Sequence, residues 1–191
     1  MASLPGVYTT AVGYCGGTEP NPSYRKVCND PIYGDYAEAV TIDYDPTTIS
    51  YEGILEAFFR CHDPMSGGRS RQYASIIFTH DGEQAETAQR LLAARPGVKT
   101  VAEPASDFWD AEAYHQKWLL QRKRPLFVSL GMVSREELLG APATVLNAVA
   151  AGKLRPDIAL ERLEKLMLKG ELRGEAHGAI AAVLDGPIRQ F

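Results

Sequence analysis

Glutamate, tyrosine and the three cysteines are the side chains here with the types needed for acid and redox chemistry. Glu38 lies in a stretch of alternating residues, 37–44, where a strand would place it on one face with Val40, Ile42 and Tyr44. A carboxyl on an apolar face loses water, which favours its neutral form, and a neutral carboxylic acid can donate its proton to an oxygen. The alternative is a strand-end glutamate that reaches water or pairs with an arginine. Tyr24 and Tyr73 could assist, because a phenol presents a donor at the end of a rigid ring; half-buried packing is the ordinary alternative. Cys15, Cys28 and Cys61 are the thiols. A thiolate is a nucleophile, although a free cysteine commonly serves as a small buried hydrophobe. Cys61-His62-Asp63 does not converge on one ion, because adjacent side chains point apart, so no metal is expected.

The elements that must position these groups alternate between strand and helix patterns. Residues 7–14 are rich in β-branched and aromatic side chains and stop at Gly16-Gly17, which predicts a strand. Residues 15–36 form a loop with three prolines, long enough to suggest function. After the strand at 37–44, Ser50 caps a helix whose apolar stripe is Tyr51, Ile54, Leu55, Phe58 and Phe59. Residues 73–79 predict a short strand. Asp81 with Gln84 resembles a capping box that opens a helix to Ala94, ended by Pro96-Gly97. A strand at 98–103 and a helix at 111–122 follow, the latter with Tyr114, Trp118 and Leu119 on its buried side. Beyond residue 130 the pattern is helical. Ser134 and Glu137 form a capping box, Pro156 opens a helix bearing Leu160, Leu163, Leu166 and Met167, and Gly170, Gly174 and Gly186 punctuate the rest. Two domains are expected, 1–130 and an all-helical appendage over 131–191.

Composition narrows the class. The chain has 191 residues, 45% hydrophobic and 23% charged, an ordinary balance for one good core and a small addition. A net charge of −4 gives no electrostatic reason to expect nucleic acid or an anionic membrane as partner. No apolar run reaches the roughly 20 residues of a membrane span, and the N-terminus has no secretory signal. Three irregularly spaced cysteines argue against a disulfide framework. The expectation is a soluble, cytoplasmic protein, or one in an organelle reached through a removed targeting peptide.

The motifs occur in a specific order: Gly13-Tyr14-Cys15-Gly16-Gly17, Asn21-Pro22-Ser23-Tyr24, Val27-Cys28 and Tyr36-Ala37-Glu38-Ala39-Val40, then His62-Asp63-Pro64, Gln72-Tyr73 and Tyr114-His115-Gln116. Together they resemble the methionine sulfoxide reductase A family over about residues 4–120. The resemblance implies an α+β fold with a ferredoxin-like mixed or antiparallel sheet and flanking helices. It implies that Glu38 protonates the sulfoxide oxygen while Tyr24 and Tyr73 hold it, and that Tyr14, Gly16, Gly17 and Trp109 line the substrate site. It also implies a thioredoxin-type reductant and no cofactor.

Two departures alter the expected site. Residues 65–71 are shorter than the family's turn and contain no acid, with Arg69 and Arg71 in its place, and the histidine before Ala-Glu is Tyr36. The family's Gly-Cys-Phe-Trp-Gly segment, which bears the attacking cysteine, does not occur in this sequence. The match begins near Leu4, where that family's first strand and helix have ended, so a missing nucleophile segment is expected. Cys28 and Cys15 are the alternative thiols. An uncovered sheet edge would then need the helical appendage, a protein partner or a second copy. The expectation is therefore a peptide-methionine (S)-S-oxide reductase domain completed by that segment; the alternative is an inactive module for binding or assembly.

Overall fold

The computed structural model describes residues 1–131 and 134–185. Five strands and nine α-helices occur among the described residues, an α+β chain. Two compact units divide it: Val12–Thr41 with Asp45–Glu112 in the first, and Ala2–Ala11, Ile42–Tyr44 and the chain from Ala113 onward in the second. The boundary runs through β1 (Val7–Cys15) and β2 (Ala37–Tyr44). Gly186 and the predicted appendage start at Val133 lie outside the described residues.

The first unit is built from short elements. Helix α1 (Tyr24–Asn29) starts at Ser23, whose hydroxyl accepts from the Lys26 N–H at 3.4 Å. Helix α2 (Tyr51–Cys61) starts at Ser50 as expected, with the Gly53 N–H donating to the serine hydroxyl at 3.1 Å. Its stripe is buried at Ile54 and Leu55. Strand β3 (Ile76–Thr79), helix α3 (Gly82–Ala93) and strand β4 (Val101–Pro104) form a βαβ unit, with β3 parallel to β4 and Ile76 opposite Val101. Leu55, Ile77, Ala88 and Leu91 make the core between them.

Several expectations are corrected here. Residues 71–73 are a 3-10 turn (Arg71–Tyr73), so the predicted strand starts only at Ile76. The cap of α3 closes one residue earlier than a capping box would: Asp81 accepts from the Gln84 N–H at 2.8 Å, while the Gln84 amide oxygen accepts from His80. The strands form a three-stranded sheet of order β2-β1-β5, where β5 is Trp109–Asp110 antiparallel to β1, and the parallel pair β3-β4.

The second unit is helical apart from its strand segments. Its helices are α4 (Trp118–Arg122), α5 (Arg124–Val128), α6 (Arg135–Leu139), α7 (Ala141–Ala150), α8 (Pro156–Leu168) and α9 (Gly174–Asp185). The predicted helix over 111–122 is only α4. Lys117 sits at φ 48°, a left-handed conformation that an α-helix cannot run through, so the helix nucleates after it. The expected buried side fails for the same reason: Tyr114, Trp118 and Leu119 are exposed and Leu120 is the buried residue. Other signals hold. The Ser134–Glu137 capping box opens α6, and Pro156 is the first residue of α8. Leu163 and Leu166 of α8 join Leu120, Leu126, Leu146, Ile180 and Leu184 in the unit's core. Arg162, on the same helix, donates to the carbonyls of Ala2, Leu4 and Val7 at 3.3, 3.1 and 2.8 Å. Burial lowers the pKa of its guanidinium, and these carbonyls supply the polar partners it would otherwise lack.

Candidate active site

A group of five side chains in the first unit brings the expected acid and phenols together. Gln72, in the 3-10 turn, donates through Nε2 to Glu38 Oε1 at 2.8 Å and to Cys28 Sγ at 3.2 Å. The Tyr24 phenol is held above its ordinary value, first by the charge of Cys28 and then by a hydrogen bond with it, with Tyr73 and Glu38 adding to the effect. Tyr73 is raised first by Glu38, then by desolvation and Cys28. Both phenols feel Glu38 and Cys28 as charged neighbours, so the four residues share one small region. At neutral pH both phenols remain protonated and can donate.

The surroundings of Glu38 differ from the apolar face expected. Glu38 is exposed, and Val40 beside it on the strand is 45% exposed. Alternation places them on one face correctly, but that face of β2 is open, so the desolvation argument does not operate. The acid is instead oriented by Gln72. Tyr24 and Tyr73 are also exposed, at 42% and 55%.

Glu112 anchors the helix that carries Tyr24 and Cys28. Its Oε1 accepts from the Tyr24 backbone N–H at 2.9 Å and its Oε2 from the Tyr14 hydroxyl at 3.0 Å. Sequence reasoning passed over Glu112; its nearest signal was its place two residues before Tyr114-His115-Gln116. Tyr14 is 2% exposed and packs with Val27, Tyr36 and Ala111. It supports the site from beneath and has no open surface for a substrate. Trp109 is half-buried against the same cluster and stands opposite Tyr14 in β5.

The two glycines after Cys15 allow a close approach. A Cβ on Gly17 would lie 2.2 Å from the ring of Tyr36, and Gly16 has φ +89° with Arg71 and Phe78 nearby. Tyr36, where the family has histidine, is 1% exposed and donates to the Glu19 carbonyl at 2.6 Å. Burial is the first cause that raises its phenol. Gly16 and Gly17 thus shape the loop around buried rings. Cys15 is buried, with its Sγ 3.7 Å from the Ser106 carbonyl, and it neighbours Arg71 and Tyr36. Of the two alternative thiols, Cys28 alone is exposed and in hydrogen-bond contact with the Glu38 group.

The altered turn at 65–71 recovers its acid from β4. Arg71 makes a two-pronged pair with Glu103, 2.6 Å on each branch, and its Nε donates to the Asp35 carbonyl at 3.0 Å. This ties the turn bearing Gln72 and Tyr73 to strand β4. The Arg71 hydrogen bond is the first cause that lowers the Glu103 carboxyl, with burial opposing it. A depressed acid contributes stability above its ordinary value of 4.5 and loses it as pH falls through the folded value. Glu103→Gln should therefore lower the urea midpoint at pH 7, and the gap from the parent chain should close below about pH 4.5. Denaturation series at several pH values check this, and a pH-independent gap would refute the assignment. Cys61 has its Sγ 4.0 Å from the Met1 sulfur, and His62 is engaged by the Phe58 carbonyl and the Ser75 hydroxyl at 2.9 and 2.7 Å. Among the described residues no three His, Cys, Asp or Glu side chains group to hold a metal, and no helix is long and apolar enough to cross a membrane.

Comparison with known proteins gives one family. Residues 1–138 match the peptide methionine sulfoxide reductase family. The chain is 42% identical over 137 residues to a peptide methionine sulfoxide reductase MsrA from Salinispora arenicola, covering 64% of this chain and 61% of the relative. It is 38% identical over 166 residues to peptide methionine sulfoxide reductase A5 from Oryza sativa subsp. japonica, covering 81% of this chain and 63% of the relative. That share exceeds the length of the family match, so the rice protein is aligned with part of the helical region after residue 138 as well. Among solved structures, methionine sulfoxide reductase A of Corynebacterium diphtheriae superposes with a TM-score of 0.51 at 31% identity, covering 68% of each chain. The chain spans about three-fifths of the length of the curated relatives it matches.

Proposed function

Because the chain belongs to the peptide methionine sulfoxide reductase family, we propose that it binds methionine sulfoxide through the sulfoxide oxygen and reduces it to methionine once a nucleophilic cysteine segment of the family's kind is supplied. The observation that carries this reading is the grouping of Glu38, Tyr24 and Tyr73 around the Gln72 amide. A sulfoxide oxygen carries a partial negative charge and accepts hydrogen bonds. Two protonated phenols are the donors it needs, from α1 and the 3-10 turn, and the Glu38 carboxyl on β2 is placed to deliver a proton.

In the proposed reaction a thiolate attacks the sulfoxide sulfur while a proton passes to the oxygen through the Glu38 carboxyl. The sulfur–oxygen bond breaks, methionine is released, and the attacking cysteine carries the oxygen as a sulfenic acid. A dithiol of the thioredoxin type then supplies two electrons, removes that oxygen as water and restores the thiol. The S epimer is the expected substrate, following the family preference.

A second reading, a binding or assembly module without turnover, draws on the altered turn at 65–71, where Arg69 and Arg71 stand in place of an acid. One pair of measurements separates the two. Titration with N-acetyl-methionine sulfoxide methylamide, followed by NMR, should shift resonances of Tyr24, Glu38 and Tyr73. Turnover with dithiothreitol should appear when a Gly-Cys-Phe-Trp-Gly segment is fused ahead of Met1 and be absent from the chain alone. Absence of any shift at the three residues sinks the oxygen-binding reading. Turnover by the chain alone that Cys28→Ser abolishes would instead make Cys28 the nucleophile.

A further inference from the structure

We propose that Gln72 is a positioning residue, the hub that fixes the carboxyl of Glu38 and the thiol of Cys28 on a single side-chain amide. The proposal rests on the reading of Glu38 as the acid of the site. An ionised carboxylate can only accept, so the group of Gln72 that faces Oε1 at 2.8 Å is the NH2 and not the carbonyl. The same nitrogen lies 3.2 Å from Cys28 Sγ. An amide nitrogen has two hydrogens, and the two partners use both. Gln72 therefore joins an acid on β2 to a thiol on α1, and its own place is held by the turn that Arg71 ties to Glu103 and to Asp35.

The chemical consequence differs for the two partners. For Glu38, which is exposed, the amide holds the carboxyl in place through Oε1. For Cys28, the donated N–H fixes the direction of Sγ and is a hydrogen bond to the sulfur that attacks an alkylating agent. The titratable groups facing Cys28 are Tyr24 on its own helix, Glu38 on β2 and Tyr73 in the 3-10 turn. Gln72 and the protonated Tyr24 phenol are both neutral donors to the Cys28 sulfur.

The test reads Cys28 directly and does not require turnover. Cys28 and Cys61 are both exposed, so their alkylation by iodoacetamide can be followed separately by peptide mass spectrometry across a pH series. Gln72→Met keeps the length of the side chain and removes the donor. It should slow the alkylation of Cys28 at pH 7.5 on the order of tenfold, the scale of one hydrogen bond to a charged group. Cys61 in the same molecule should be unchanged. Gln72→Glu, of nearly identical shape, places a carboxylate at the same point and should slow Cys28 further. If Gln72→Met does not fold, Gln72→Glu alone decides. A Cys28 rate within twofold of the parent in a folded variant overturns the proposal. Its failure is distinct from failure of the functional reading, since sulfoxide-induced shifts at Glu38 and Tyr24 in the parent chain are measured independently of Cys28 alkylation.

Discussion

Glu38→Gln, introduced into a chain that carries a Gly-Cys-Phe-Trp-Gly segment ahead of Met1, is expected to lower kcat by about 10²- to 10⁴-fold, the usual contribution of a general acid. Glutamine keeps the shape of the side chain and its carbonyl can still accept from Gln72, so the hub survives while the transferable proton is lost. The effect should fall on kcat and leave KM little changed, because Tyr24 and Tyr73 still hold the oxygen. Stability should move by less than about 0.5 kcal/mol, since Glu38 is exposed and its hydrogen bond with Gln72 is kept. Steady-state kinetics with dithiothreitol, beside thermal denaturation, checks both halves. A kcat within threefold of the parent would remove Glu38 from the role of acid.

The second large effect concerns folding. Leu163→Ala, in α8, should destabilise the protein by about 2–5 kcal/mol. Leu163 is fully buried in a cluster with Leu120, Leu126, Leu146 and Ile180, drawn from helices α4, α5, α7 and α9. Removing its branched end leaves a cavity lined by side chains from separate helices, which cannot all close in at once. Leu168→Ala, on the same helix but 78% exposed, should cost little. Urea denaturation of the two variants makes the comparison. Equal midpoints would show that the α8 stripe is not the core of the second unit.

The α8 stripe was legible before any coordinates because its information is local. Leu160, Leu163 and Met167 recur at helical spacing, Pro156 can start a helix because the first turn does not need its missing N–H, and neither feature depends on distant residues. The caps at Ser50 and Ser134 are readable for the same reason. The helix over 111–122 misled because its boundary is set by Lys117, a left-handed residue whose Nζ reaches the Thr10 carbonyl at 2.5 Å. A contact 107 residues away in the chain leaves no periodic trace.

The site divides along the same line. Glu38, Tyr24 and Tyr73 could be picked out from residue type and motif order, and the structure gathers them. That Glu38 would be open to solvent could not be read, because alternation states which residues share a face and not what covers that face. Nor could the replacement of the missing turn acid by Glu103, which is 32 positions from Arg71 and meets it only because β3 and β4 pair.

The sequence by itself determined the kind of chemistry present: an acid, two phenols and an accessible thiol in a fixed order, with helices and caps written in local patterns. Only the tertiary structure decided that Cys28 and not Cys15 joins the acid, and that Gln72 and Glu112 hold the group in place. The reason is physical. Propensity and periodicity act over a few residues along the chain, whereas a side-chain hydrogen bond needs two groups within about 3 Å, which the packing of separate elements alone can arrange.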